Sequence, residues 1–147
     1  MNADHALLLS AVDPPLVAEA VRTELEPFLM DRGFHEAGSN AHSTVYESAV
    51  TRVTVVRDPR GEINVAVSRV GESNVHAQWS YGEITSPAAV PIHIQRVVRE
   101  LSGEPGLLAG DAVEFERLRH RNEQRSKEWT TYYSGQGPRP KRFGRLP

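Results

Sequence analysis

The chain has 147 residues, no cysteine and a formal net charge of −2, with 39% apolar and 24% charged side chains. That length suits one domain burying roughly 70% of its unfolded surface, and the missing cysteine excludes disulfides, thiolate metal sites and cysteine nucleophiles. No apolar run approaches the ~20 residues of a membrane-spanning helix, and "ALLL" behind an acidic start is too short for a signal sequence. We therefore expect a cytoplasmic protein with no membrane partner.

Charge is unevenly placed. Residues 1–110 carry 8 basic and 14 acidic groups, residues 111–147 carry 9 and 5, and from Arg117 onward the count is 9 and 2. A basic end on an acidic body suits either an anionic partner or a tail that folds back on the body.

The first helix is expected from "VDPPLVAEAVRTELEPFLMDRGF". Asp13 suits the N-cap and Pro14 the first helical position. Val17, Ala20, Val21, Leu25, Phe28 and Leu29 recur at helical spacing, and Gly33 is a C-terminal stop. Pro27 has no N–H for the Thr23 carbonyl, so a kink or break is expected there. A strand-rich middle follows, with "FHEAG" and "HSTVYES" as short strands. Next, "VTVVRDPRGEINVAVSRV" reads as a hairpin. A three-residue loop, Pro59-Arg60-Gly61, pairs Asp58 with Glu62. It also sets Val55 opposite Val65 and Val53 opposite Val67, putting four valines on one face. The last strand, "NVHAQWSYGEI", alternates Val75, Ala77, Trp79 and Tyr81 with His76, Gln78 and Ser80.

The second helix is "SPAAVPIHIQRVVRELSG", starting at Ser86-Pro87 or at Val90-Pro91, with a stripe of Ile94, Val97, Val98 and Leu101. A loop, "GEPGLLAG", carries two buried-looking leucines. The third helix opens on a capping box, Asp111 with Glu114. Phe115, Leu118, Trp129 and Tyr132 form its stripe, with Asn122 and Arg125 between them, so it is expected to cross the surface anchored at both ends. The fold class is α+β: an N-terminal helix, an antiparallel meander of four to five strands and two C-terminal helices. Residues 1–134 form one domain. Residues 135–147, "GQGPRPKRFGRLP" after Ser134, read as an extended or disordered basic tail.

Chemistry is hard to find. There is no phosphate loop, dinucleotide fingerprint, nucleophile elbow or H-E-x-x-H. The histidines, His5, His35, His42, His76, His93 and His120, are scattered, and no two share i, i+4 spacing. No catalytic residue, metal ligand or cofactor site is assigned, although a small enzyme with an unrecognised site stays open. The sheet offers a second face. With Val53, Val55, Val65, Val67, Trp79 and Tyr81 inward, Arg52, Thr54, Asn64, His76 and Gln78 point outward. Tyr46 joins them if Val45 lies beside Val53. These six are candidate partner-binding residues, since tyrosine and arginine are frequent interface anchors. The alternative is nucleic-acid binding through Arg121, Arg125, Arg139, Lys141, Arg142 and Arg145, with "RPKRFGR" mixing cations and an aromatic. A homodimer is a third possibility.

The stretch from "LEPFLMDRGF" through "VYESAVTRVTVVRDPRGEINVAVSRV" resembles small bacterial immunity-type proteins paired with polymorphic toxins. The likeness rests on a helix ending at Gly33-Phe34, a tyrosine-bearing strand, and a hairpin turned at an acidic, arginine-containing loop. It covers residues 25–70. It implies a protein that binds and blocks a toxin, without catalysis or cofactor.

Overall fold

The computed structural model describes residues 14–40, 42–57, 62–81 and 86–140. Helix α1 (Pro14–Ala20) runs into a π-helical stretch (Val21–Leu25) and then α2 (Glu26–Met30). Pro27 accounts for the change. Its missing N–H and its ring disrupt the turn above it, and the chain widens just before it. The Glu26 N–H bonds the Val21 carbonyl, five residues back, as in a π turn. Thus the expected kink takes the form of a widened turn. Val17, Ala20, Val21, Leu25 and Leu29 all stay buried. Gly33, at φ 85°, then stops the helix, and the Phe34 N–H reaches back to the Leu29 carbonyl at 3.1 Å. The proposed cap, Asp13, lies outside the described residues.

Five strands follow in an antiparallel meander, in the order β1 to β5: β1 (His35–Ser39), β2 (Ser43–Glu47), β3 (Thr51–Arg57), β4 (Ile63–Arg69) and β5 (Glu72–Tyr81). The β3–β4 pairing sets Val53 opposite Val67 and Val55 opposite Val65, the register that the three-residue loop requires. The turn itself, 58–61, lies outside the described residues. Between β2 and β3 the Ser48 hydroxyl accepts the N–H groups of Val50 at 3.3 Å and Thr51 at 3.0 Å. That turn pairs Glu47 with Arg52, and so Tyr46, not Val45, with Val53. Tyr46 therefore points into the core. Its placement on the outward face is corrected by one residue of register.

Helix α3 (Ala89–Ser102) buries Val90, Ile94, Val97 and Leu101. Pro91 falls in its first turn, where a missing N–H costs little. The "GEPGLLAG" stretch contains a short helix, α4 (Pro105–Leu108), whose two leucines are buried. Helix α5 (Ala112–Tyr133) starts at Asp111, whose carboxylate accepts from the N–H of Val113 at 2.8 Å and of Glu114 at 3.2 Å. The reciprocal half of the capping box is replaced, because the Asp111 N–H bonds the Gly106 carbonyl instead. Only the first part of α5 is anchored in the core, by Phe115 and Leu118; Trp129 and Tyr132 pack on Tyr133 and on each other. The expectation of anchoring at both ends is corrected accordingly.

The buried side chains of the helices form one cluster with Tyr46, Val53, Val55, Ile63, Val65, Val67, Ala77 and Trp79 of the sheet. The molecule is α+β, with its helical layer on one face of the sheet. The α4–α5 junction meets the start of β3 at Gly110. That residue has φ +70°, and a Cβ added there would lie 2.9 Å from Val50 Cγ2 and 3.0 Å from Thr51 Oγ1. Gly71 is also left-handed, at φ +83°, but a Cβ there meets open space. Gly71→Ala should therefore cost about 1 kcal/mol, from backbone strain alone. Gly110→Ala should cost about 2–4 kcal/mol, because overpacking adds to the strain. Urea unfolding of both variants checks this; equal losses would mean that the Gly110 contact relaxes freely.

Candidate interaction surfaces

Alternation along β3, β4 and β5 turns the second set of side chains away from the helices. The register places them in rows. Val45, Thr54, Ala66 and Gln78 form one row, and Glu47, Arg52, Ser68 and His76 the next. Five of the six residues proposed from sequence thus share one face: Arg52, Thr54, Asn64, His76 and Gln78. Most of this face is half-buried, as expected of a sheet surface with no helix over it; Gln78 is exposed and Ser68 buried. Arg52 donates to Glu47 across the strand pair at 3.3 Å. A partly exposed pair of this kind adds little stability, but it fixes where the guanidinium lies.

Tyr46 is absent from this surface. Its side chain is fully buried and its hydroxyl makes no hydrogen bond among the described residues. Burial, with the nearby Glu26 and Glu36 carboxylates opposed by Arg22, pushes the phenol up to about 12. The group is thus kept neutral at ordinary pH.

The nucleic-acid candidates divide. Arg121 and Arg125 lie on α5, Arg139 lies beside it, and Lys141, Arg142 and Arg145 fall outside the described residues. Early in α5 the charges pair along the helix: Arg117 with Glu114 at 3.5 Å, and Arg119 with both Glu116 and, at 3.1 Å, Glu123. The Arg119 hydrogen bond holds the Glu116 carboxyl below the usual carboxylate range. Asn122 donates to the His76 carbonyl at 3.4 Å, which occupies an acceptor on the outer edge of β5. This explains a polar residue in the helix stripe.

The sequence reading took Trp129 and Tyr132 as part of an anchoring stripe and did not single out their cluster with Tyr133. Trp129 contacts Tyr132 edge-on at 5.8 Å and stacks on Tyr133 at 5.5 Å between ring centroids, and Tyr133 is 77% exposed. The signal was "WTTYY", with aromatics at i, i+3 and i+4, which a helix gathers on one side. The cavity under Val17, Val21 and Arg57 is about 20 Å³, room for one water; a cleft of about 490 Å³ lies along α5 between Lys127, Glu128 and Arg139. Among the described residues no three His, Asp or Glu side chains converge as a metal site would require.

No protein-family model, curated protein or solved structure matches the chain. No helix among the described residues is long and apolar enough to cross a membrane.

An orphaned hydroxyl in a dry core gives a clear expectation for Tyr46→Phe. Removing it should leave stability unchanged or raise it by about 1 kcal/mol at neutral pH. The pH dependence has a defined sign. A phenol raised from 10.0 to about 12 on folding contributes stability that is intact below pH 10 and lost as pH rises toward 12. The stability advantage of Tyr46→Phe over wild type should therefore grow between pH 10 and 12. A constant difference would mean that Tyr46 ionises normally.

Proposed function

We propose that this protein is a non-catalytic, protein-binding module of the immunity or antitoxin type, which holds its partner on the outward face of the β2–β5 sheet. The observation that carries the reading is the pair of cross-strand rows, Thr54–Ala66–Gln78 and Arg52–Ser68–His76, on a face that the helical layer leaves open. Small and polar side chains make it flat and rich in hydrogen-bonding groups. Four strands at ~4.8 Å spacing and seven residues at ~3.3 Å rise give a patch of roughly 20 by 23 Å. A stable complex buries about 800 Å² on each side, so the partner also covers the rim. The acidic balance of residues 1–110, 8 basic against 14 acidic groups, favours a basic partner and speeds its approach. A toxin that binds nucleic acid, such as a nuclease, has that charge.

The test is a substitution in the middle of each row once a partner has been co-purified. Thr54→Arg and Arg52→Ala should each weaken binding at least ~10-fold, the range expected for central contacts, with the melting temperature kept within a few degrees. Gln78→Arg should act likewise. Unchanged affinity in all three variants would overturn the sheet-face reading.

A further inference from the structure

Helix α5 has two distinct faces in its second half. Helical spacing keeps Trp129, Tyr132 and Tyr133 on the side that carries Phe115 and Leu118 into the core. Gln124, Lys127, Glu128 and Thr131 recur at i, i+3, i+4 and i+7 and make up the opposite side. All four are exposed.

The chain returns along this opposite side. Gly135 takes φ 78°, its N–H bonds the Tyr132 carbonyl at 2.9 Å, and the Gln136 N–H bonds the Thr131 carbonyl at 3.0 Å. The Thr131 hydroxyl donates to the Lys127 carbonyl at 2.9 Å. That bond fixes the side chain, and a Cβ at Gly137 would lie 2.8 Å from its Cγ2. The tail is thus seated on Thr131. Pro138, Arg139 and Pro140 form a second wall across a cleft of about 490 Å³, within the ~300–1,000 Å³ of small-molecule sites. This wall is stiff. Each proline fixes its own φ, and Arg139, which precedes Pro140, is held to an extended backbone.

Three charged side chains line the cleft: Lys127, Glu128 and Arg139. Among the described residues none of them makes an ion pair, with each other or with a neighbour, whereas Arg117 and Arg119 on the same helix are paired with glutamates. Unpaired charges of both signs across one cleft match one ligand chemistry above others. A phosphate would meet two cations but also Glu128. An amine would meet Glu128 but also two cations. A zwitterion, with a carboxylate and an ammonium, satisfies all three groups. The proline rings and the aliphatic stems of Lys127 and Arg139 add apolar surface. An extended dipeptide sets its terminal charges roughly 6–7 Å apart, while a free amino acid carries both on one carbon. Side chains beyond pairing distance of one another favour the dipeptide.

We propose that the cleft between α5 and the returning tail binds small zwitterions, apolar dipeptides above all. Arg139 and Lys127 hold the carboxylate, Glu128 holds the ammonium, and the proline wall meets the apolar side chains. This site is separate from the sheet face and does not depend on it.

The dipeptide Leu-Leu would be titrated into the full-length protein by isothermal calorimetry. A Kd of about 0.2 mM is expected for a ligand of this size. Arg139→Ala and Glu128→Gln should each weaken binding about 10-fold, the range for one charge-assisted hydrogen bond. Acetylating the peptide N-terminus should cost about 10-fold against wild type and nothing further against Glu128→Gln, whose partner group is already gone. The C-terminal amide should stand in the same relation to Arg139→Ala. Both substituted side chains are exposed, so unchanged melting temperatures will confirm intact folding, and Thr54→Arg should bind as wild type. Tighter binding of free leucine than of Leu-Leu would keep the zwitterion and assign the cleft to an amino acid. Absence of binding up to about 5 mM peptide, well above the expected Kd, would overturn the proposal. So would equal binding of the acetylated and amidated peptides, which is apolar adhesion alone. Displacement of Leu-Leu by inorganic phosphate, made easier by Glu128→Gln, would make the cleft an anion site instead.

Discussion

Thr51, Val53 and Val55 form the dry row of β3, and the rest of the architecture depends on keeping that row dry. β3 is the middle strand, so its parity sets the parity of the sheet. Two turns hold it from opposite ends. On one side Ser48 closes the β2–β3 connection through two backbone N–H groups. On the other, the β3–β4 pairing continues in register to Arg57 opposite Ile63. A slip of one residue at either turn would put Thr54 and Val56 against the helices and Val53 and Val55 in water. The same parity sends Tyr46 inward and Arg52 outward.

That constraint has local costs, and the helical layer offsets them. Tyr46 and Thr51 both bury hydroxyls that lack partners among the described residues, at roughly 1–3 kcal/mol each for the lost hydration. Burying a ring returns a comparable amount through apolar area, so Tyr46 is tolerable where a smaller polar residue would not be. The π-helical stretch belongs to the same balance. Widening the turn before Pro27 lets Val21 and Leu25 stay on the buried face with Leu29. There they join the cluster that also holds Val90, Ile94, Val97 and Leu101 of α3. A plain helix broken at Pro27 would have left two short pieces with unmatched faces.

Legibility in the sequence followed the strength of the local signal. The β3–β4 register could be read because four valines and the loop chemistry gave the same answer. The β2–β3 register could not. Its turn, "SAV", has no glycine or proline, and its geometry comes from a serine hydroxyl whose role is visible only once the backbone is folded. Tyr46 was misplaced for that reason, and the outward face lost its expected aromatic anchor. In α5 the apolar spacing was read correctly, but periodicity does not show whether an apolar stripe meets a protein surface or continues past it. Trp129 and Tyr132 have the spacing of core residues but are half-buried, packed on Tyr133 and on each other.

The charge pattern of α5 gains a physical reading from the fold. Glutamates at 114, 116 and 123 lie within one turn of Arg117 or Arg119, so these cations are neutralised along the helix near the sheet. Beyond them the helix keeps Lys127, and the turn at Gly135 returns Arg139 to its side. The body is acidic and would attract a flexible basic tail. Close packing of Gly137 against Thr131 opposes that collapse over residues 135–140, because the first residues of the tail are already committed to the helix. Arg139 is therefore held beside Lys127 and Glu128 on one side of α5. The outward sheet face, with its rows of small and polar side chains, and this end of α5 thus differ in charge and chemistry.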